Sequence, residues 1–353
     1  MRLGVVLEQC LAPVPGGTGR YSREIAAALA RSAGPGDSVE GVVAWHRSTA
    51  AACVPGVRGP RRLLLPRRGL VAAWERGLGP RVPGDVVLAP TPLFPPGPAP
   101  RVVVVHDAVP WTHPETLTPR GAAWHRAQVS RAASEAALVV VPTLAVADEL
   151  RRHVPLRELL VVGEGVSADL ALPADAAERA ARMQLPERYL LTVATLEPRK
   201  GLDVLLEALR ALPDLPLLCV GQPGWGGVEV TGARALGRVP DADLAVLLDR
   251  ATALVVPSRA EGFGLPLLEA MAAGTPVITS DAPALVEVGG GAARVSALEP
   301  AALAEALREV AGDEALRARM ADAGRVRAAA FSWDAAAASL WSALRGLATP
   351  RRA

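Results

Sequence analysis

Leu254 to Glu269 reads LVVPSRAEGFGLPLLE. Its opening apolar residues make a short strand that Pro257 stops. A loop containing Gly262 and Gly264 follows, and Pro266 suits the first turn of a helix over Leu265–Ala273. A buried strand that passes through a glycine loop into a helix is the repeating unit of a parallel α/β sheet. The same rhythm extends both ways along the chain. In the second half, strands are expected at Tyr189–Ala194, Leu217–Val220, Leu254–Val256, Pro276–Ile278 and Ala293–Val295. Helices are expected between them at Leu202–Leu212 and Asp241–Arg250, and three more close the chain near Pro300–Ala311, Glu314–Ala330 and Trp333–Leu347. In the first half, strands are expected at Leu3–Leu7, Val39–Ala44, Val86–Leu88, Val102–Val105, Leu138–Val141 and Leu159–Val162. The first-half helices run near Arg20–Ser32, Pro119–Glu135 and Thr143–His153, the last with Thr143 as N-cap. The Pro/Gly-rich stretches Gly56–Pro66 and Pro92–Pro100 read as surface loops.

The chain of 353 residues is too long for one ordinary core and suits two domains. The rhythm breaks over Gly163–Arg188, which places the junction near Gly165. The expected domains are 1–165 and 166–330, with a final helix and tail over 331–353. No apolar run reaches the ~20 residues that a membrane helix needs. The run Leu3–Leu7 ends at Glu8 and Gln9, so it reads as a first strand, not a signal peptide. Cys10, Cys53 and Cys219 are odd in number and far apart, which points to free thiols in a reducing, cytoplasmic setting. Residues 1–165 carry 19 arginines against 13 acids, and residues 166–353 carry 19 basic against 23 acidic side chains. A basic first half fits an anionic or membrane-surface partner, and it equally fits solvated loop arginines. Nothing points to nucleic acid. Lys200 is the only lysine in the chain. In a sequence that otherwise uses arginine, one retained ammonium suggests a point charge needed there.

Several motifs fall at the C-terminal ends of expected strands, where open α/β sheets bind ligands. Gly262 and Gly264 let backbone amides approach a ligand, and the N-terminus of the following helix is a seat for a diphosphate. Glu261 before that helix and Glu269 one turn into it can each accept hydrogen bonds from a vicinal diol. Glu197-Pro198-Arg199-Lys200-Gly201 follows another strand, and its paired cations suit a diphosphate leaving group. No glycine-rich run precedes Lys200, so this is not a P-loop. His106 and Asp107 end a third strand, where a histidine can donate to a sugar hydroxyl. Gly16 and Gly17 lie between the first strand and first helix, as a phosphate or sugar approach or as a plain loop. Asp241-Ala242-Asp243 spells a metal-binding DxD, but it opens a helix, where acids also serve as caps. No GxSxG, HExxH or full GxGxxG occurs.

Four stretches together resemble the group 1 glycosyltransferases, also called family 4: GGTGRYSRE (16–24), VVVVHDAVPWTHPE (102–115), LLTVATLEPRKGLDVLLEAL (190–209) and VVPSRAEGFGLPLLEAMAAGTPVITSD (255–281). The likeness spans about residues 1–345 and is nearest to bacterial mannosyltransferase-like members that build polysaccharides or glycolipids. It implies a GT-B fold: two Rossmann-like, doubly wound parallel-sheet domains facing across a cleft, with the last helix crossing back to the first. It implies a retaining transfer from a nucleotide diphosphate sugar, with GDP-mannose or a UDP-sugar as donor and no required metal or cofactor. By position, Arg199 and Lys200 would bind the diphosphate. Glu261 with the Phe263 and Gly264 amides would hold the donor sugar, and Glu269 the ribose. His106 would contact the sugar, Gly16 and Gly17 would lie near phosphate or acceptor, and the Val239 backbone would meet the base. The acceptor would be a glycan or a lipid-linked glycan, with peripheral contact at an anionic membrane. Thr195 stands where many relatives carry arginine, and Gly163-Glu164 where they often carry Pro-Asn. Two other readings stay open: another GT-B enzyme such as a nucleotide-sugar epimerase, and a non-catalytic sugar-nucleotide-binding subunit.

Overall fold

The computed structural model describes residues 1–348; the last five residues of the helix and tail expected over 331–353 lie outside them. The chain divides into two compact units. The first comprises Met1–Trp111, Arg120–Glu164 and the segment from Ser332; the second comprises Thr112–Pro119 and Gly165–Phe331.

The first unit holds a sheet of seven parallel strands: β1 (Arg2–Val6), β2 (Ser38–Trp45), β3 (Arg58–Pro66), β4 (Val86–Ala89), β5 (Arg101–Val104), β6 (Leu138–Val141) and β7 (Leu159–Val161). Their order is β3-β2-β1-β4-β5-β6-β7. The second unit holds six: β8 (Leu190–Val193), β9 (Leu217–Val220), β10 (Arg234–Gly237), β11 (Ala253–Val256), β12 (Val277–Ser280) and β13 (Arg294–Ser296), in the order β10-β9-β8-β11-β12-β13. Each sheet begins at its centre and then reverses its winding direction, between β1 and β4 and between β8 and β11. Those switch points open a crevice at the C-terminal strand ends. Leu254 pairs in register with Val277 on one side and Leu191 on the other. The central strands are buried on both faces, so they read as unbroken apolar runs.

The expected helices Pro119–Glu135, Asp241–Arg250 and Leu265–Ala273 form within those bounds, and the Thr143 hydroxyl caps the helix Leu144–His153 through the Val146 amide. Four expectations need correction. Gly56–Pro66 is not a loop: Arg58–Pro66 is the edge strand β3, paired with β2. Only one side of such a strand meets the core, so Leu63 is buried while Leu64 is 91% exposed and Arg58, Arg61 and Arg62 face water. An edge of the second sheet, β10, is also largely exposed and lies outside the expected strands, for the same reason. The helices Arg67–Glu75, Ala176–Arg182 and Pro283–Gly289 were likewise not expected. Finally, Gly16-Gly17 is not a loop; the first helix starts at Gly16 and runs to Arg31.

The last helix, Trp333–Ala348, packs on the helix Gly16–Arg31 within the first unit. Trp341 is fully buried there and donates from Nε1 to the Leu29 carbonyl at 3.1 Å. Arg31–Asp334 (2.7 Å) and Arg345–Asp37 (3.1 Å) flank it. Among the described residues no helix is long and apolar enough to cross a membrane.

Candidate active site

In the second unit, the motif segments after β8 and β11 meet at adjacent strand ends. The contact depends on Gly201, which sits at φ +64° with no room for a side chain: a Cβ there would lie 1.9 Å from the Pro257 carbonyl oxygen. The Arg259 amide donates to the Arg199 carbonyl at 2.8 Å. The Arg259 guanidinium grips the Asp203 carboxylate at 2.9 and 2.6 Å. On the other side, Gly221 lets β9 close on β8, since a Cβ there would meet the Ala194 oxygen at 1.8 Å.

This frame brings Arg199, Lys200 and Glu261 together. The Lys200 Nζ donates to Glu261 Oε1 at 2.6 Å. Ser258 Oγ donates to the same oxygen at 2.7 Å, and Arg199 Nη1 donates to Glu261 Oε2 at 2.9 Å. Burial alone would raise the Glu261 pKa, but the Lys200 and Arg199 charges outweigh it and bring it down to about 2. Glu261 is therefore a carboxylate at every physiological pH. The Arg199 guanidinium is spread over several partners: Nε and Nη2 go to Glu197 Oε1 at 3.0 and 2.7 Å, and Nη1 also goes to the Ala260 carbonyl. It braces two carboxylates. Lys200 commits one of its three N–H donors to Glu261.

Phe263 is buried, with its ring edge-on to Phe331 at 5.5 Å. Gly264 holds the left-handed conformation at φ +94° against Leu285 and opens the helix Leu265–Ala273. Glu269 lies one turn into that helix and is buried. Val239 follows β10 in the loop before Asp241 and is half-buried. The DxD segment lies on the first turn of Asp241–Arg250, and Asp243 Oδ1 accepts from Arg179 at 2.7 Å and Arg182 at 3.2 Å. Among the described residues, no group of three or more His, Cys, Asp or Glu side chains is placed to hold a metal ion.

In the first unit, His106 follows β5. Its Nε2 donates to the Pro90 carbonyl at 2.8 Å, and Nδ1 faces Glu164 Oε1 at 3.7 Å. Burial disfavours the imidazolium, but the Glu164 carboxylate and the Pro90 carbonyl outweigh it, so the His106 pKa is raised. Tyr21 is fully buried, edge-on to His106 at 4.7 Å and to Trp333 at 5.6 Å. Burial, with a contribution from Glu164, pushes its phenol well above the ordinary range. Both His106 nitrogens thus face protein groups. Gly16 and Gly17 are exposed on the first helical turn.

His106 and Asp107 also line a cavity of about 370 Å³ at the C-terminal ends of β1 and β5, together with Glu8, Arg67, Trp124 and His125. Glu8 is buried. Its Oε2 accepts from the Ala44 amide at 2.8 Å, and its Oε1 meets His46 at 2.9 Å and Arg67 at 3.8 Å. The sequence reading does not single out Glu8 or Ser258, and it marks Glu164 only as a departure from the pattern of relatives. A buried acid or hydroxyl has no local pattern, because its partners come from distant segments. The only advance signal was Glu164, standing where relatives often carry asparagine.

Residues 175–327 match the family model described as glycosyl transferases group 1. Over 223 residues the chain is 37% identical to D-inositol 3-phosphate glycosyltransferase of Streptomyces avermitilis, covering 55% of this chain and 48% of that protein. It is 36% identical over 162 residues to O-antigen chain mannosyltransferase B of Escherichia coli, covering 41% of this chain and 42% of that one. These matches span about half the length of the curated relatives. The Anabaena protein Alr3699/HepE, solved in complex with UDP-glucose, superposes with a TM-score of 0.73 at 19% identity, over 98% of this chain and 100% of that one. The two parallel sheets are those of the GT-B fold.

Proposed function

We propose that this chain, whose residues 175–327 match the model of the group 1 glycosyl transferases, is a member of that family and moves a sugar from a nucleotide diphosphate donor to a hydroxyl acceptor. The observation that carries this reading is the half-buried Lys200–Glu261–Arg199 cluster at the ends of β8 and β11. A fixed carboxylate suits sugar hydroxyls, and an ammonium beside it, with donors to spare, suits the charge that grows on a departing diphosphate. Lys200 is the phosphate contact in this reading, and Arg199 positions Glu261. The Phe263 and Gly264 amides complete the sugar seat, Glu269 takes the ribose and the Val239 backbone the base. His106 would contact the sugar, and Gly16 and Gly17 would lie near phosphate or acceptor.

The transfer we infer is retaining. The C1–O bond to phosphate breaks as the C1–O bond to the acceptor forms on the same face, and the acceptor proton passes to the departing phosphate oxygen. No side-chain nucleophile and no metal takes part. The donor proposed first is GDP-mannose, in keeping with a mannosyltransferase among the relatives. A UDP-sugar is the other candidate, in keeping with the UDP-glucose complex of a structural neighbour. The first unit would serve the acceptor, a glycan or lipid-linked glycan, and the second the donor. The reaction would run in the cytoplasm, with β3 and its arginines as the face toward an anionic membrane.

A thermal-shift screen against GDP-mannose and UDP-, ADP- and dTDP-sugars tests the donor reading. A donor at 100 times its Kd adds roughly 2.7 kcal/mol to the folded state. A flat response to the whole panel would overturn it.

A further inference from the structure

We propose that the cavity beside His106 takes an uncharged saccharide ring, and that it rejects a ring bearing a phosphate or carboxylate. The inference rests on the glycosyltransferase reading only in calling this ring the acceptor.

The charge balance of the cavity carries the argument. Arg67 is the single Lys or Arg side chain on its wall. That cation is turned toward the cavity's own carboxylate: Nε lies 3.8 Å from Glu8 Oε1, and Nη1 contacts the Leu11 carbonyl at 3.5 Å. His106 is answered by Glu164 at 3.7 Å. Asp107 lines the same wall, and only its Oδ1 is drawn into a backbone hydrogen bond, from Val109 at 3.1 Å. The uncompensated charge facing the cavity is therefore negative. A phosphate entering there would lose water and meet the Asp107 and Glu8 carboxylates, with a single guanidinium, which already faces Glu8, to offset them.

The remaining walls suit a sugar. Trp124 presents a partly buried indole, steadied by Nε1 donating to Glu75 Oε1 at 2.5 Å and by the edge-on His125 ring at 4.7 Å. An indole face offers apolar area to the C–H face of a pyranose. Asp107, Gln9, Thr18 and Thr91 supply polar atoms around it for hydroxyls. The volume of about 370 Å³ lies in the range of small-molecule sites. This chain would therefore differ from its inositol 3-phosphate glycosyltransferase relatives in the charge of the acceptor.

The test is direct binding to the full chain without donor. Ligand-observed saturation-transfer NMR would be run with methyl glycosides of mannose, glucose, galactose and N-acetylglucosamine, and with mannose 6-phosphate, glucose 6-phosphate and inositol phosphate. At least one neutral glycoside is expected to bind, with the phosphorylated compounds at least tenfold weaker at equal ionic strength. Asp107→Asn is expected to weaken the neutral ring and narrow the gap to the phosphorylated one. Trp124→Phe is expected to weaken the neutral ring without narrowing that gap. Binding of a phosphorylated ring as tightly as its neutral counterpart would overturn the inference. So would neutral binding that neither substitution changes, or no neutral binding at all. A failed donor screen would count against the transferase reading alone, because this measurement needs no donor.

Discussion

Lys200→Ala removes the ammonium that lies 2.6 Å from Glu261 Oε1. Both side chains are mostly buried, at 14% and 9% exposure. Breaking a buried pair by deleting one partner costs about 3–5 kcal/mol when the other charge is stranded. Here Glu261 keeps Arg199 and Ser258, so the expected loss is smaller, about 1–3 kcal/mol. With the Lys200 charge gone, burial reasserts itself and the Glu261 pKa rises from about 2. A loss of that size lowers the melting temperature of a unit this large by about 2–4 °C per kcal/mol. If Lys200 meets the departing diphosphate as proposed, turnover falls further, by about 10²–10³-fold or more, since that charge stabilisation is lost. Glu261→Gln separates the two effects. It keeps the side-chain shape but removes the negative charge, so free nucleoside diphosphate should bind as well or better while transfer collapses. In the double variant no carboxylate is stranded. The stability cost of Lys200→Ala should then shrink by about 1 kcal/mol or more. The assays are differential scanning calorimetry and steady-state transfer on purified protein. A Lys200→Ala enzyme within about twofold of wild-type kcat/KM would refute the reasoning, and strictly additive stability losses would refute the stranded-charge part of it.

Three further outcomes follow from the geometry. Gly201→Ala places a Cβ on the Pro257 oxygen in a left-handed conformation, so stability should drop by at least the ~1–3 kcal/mol such strain costs, with a lower melting temperature, and donor-induced thermal shifts should vanish; an unchanged melting curve would contradict this. The raised His106 pKa means that its contribution to stability is full below the unfolded value of about 6.5 and is lost as pH rises through the higher folded value. Glu164→Gln should lower that folded pKa in an NMR titration and flatten the alkaline fall in stability; an unmoved His106 titration would refute the pairing. Asp243→Ala releases Arg179 and Arg182 and should cost about 1 kcal/mol or less. Turnover should be unchanged with or without chelator, and a metal-dependent loss of activity would revive the DxD reading.

The central strands and main helices could be read from the chain because burial on both faces forces long apolar runs, as in LVVP at 254–257, and helix starts carry local marks such as Thr143. Two of the four edge strands, β3 and β10, could not. β3 carries RRLLLP at 61–66, and one buried side chain is too weak a pattern to distinguish an edge strand from a loop. The site divides the same way. Glu261, Lys200 and Arg199 stood out by their places after strands and before helices. Their mutual contact did not, since it closes across 61 and 62 residues.

The sequence by itself determined the two α/β halves, the positions of the motifs at strand ends and the likeness to group 1 glycosyltransferases. These depend on periodicity and local turn chemistry, which are written within a dozen residues. Only the tertiary structure decided that Arg199 braces carboxylates, that Glu164 faces His106, and that Glu8 and Asp107 share a cavity. Those facts depend on which distant side chains the sheet order brings within hydrogen-bond reach, and on the low-dielectric surroundings that make such encounters strong.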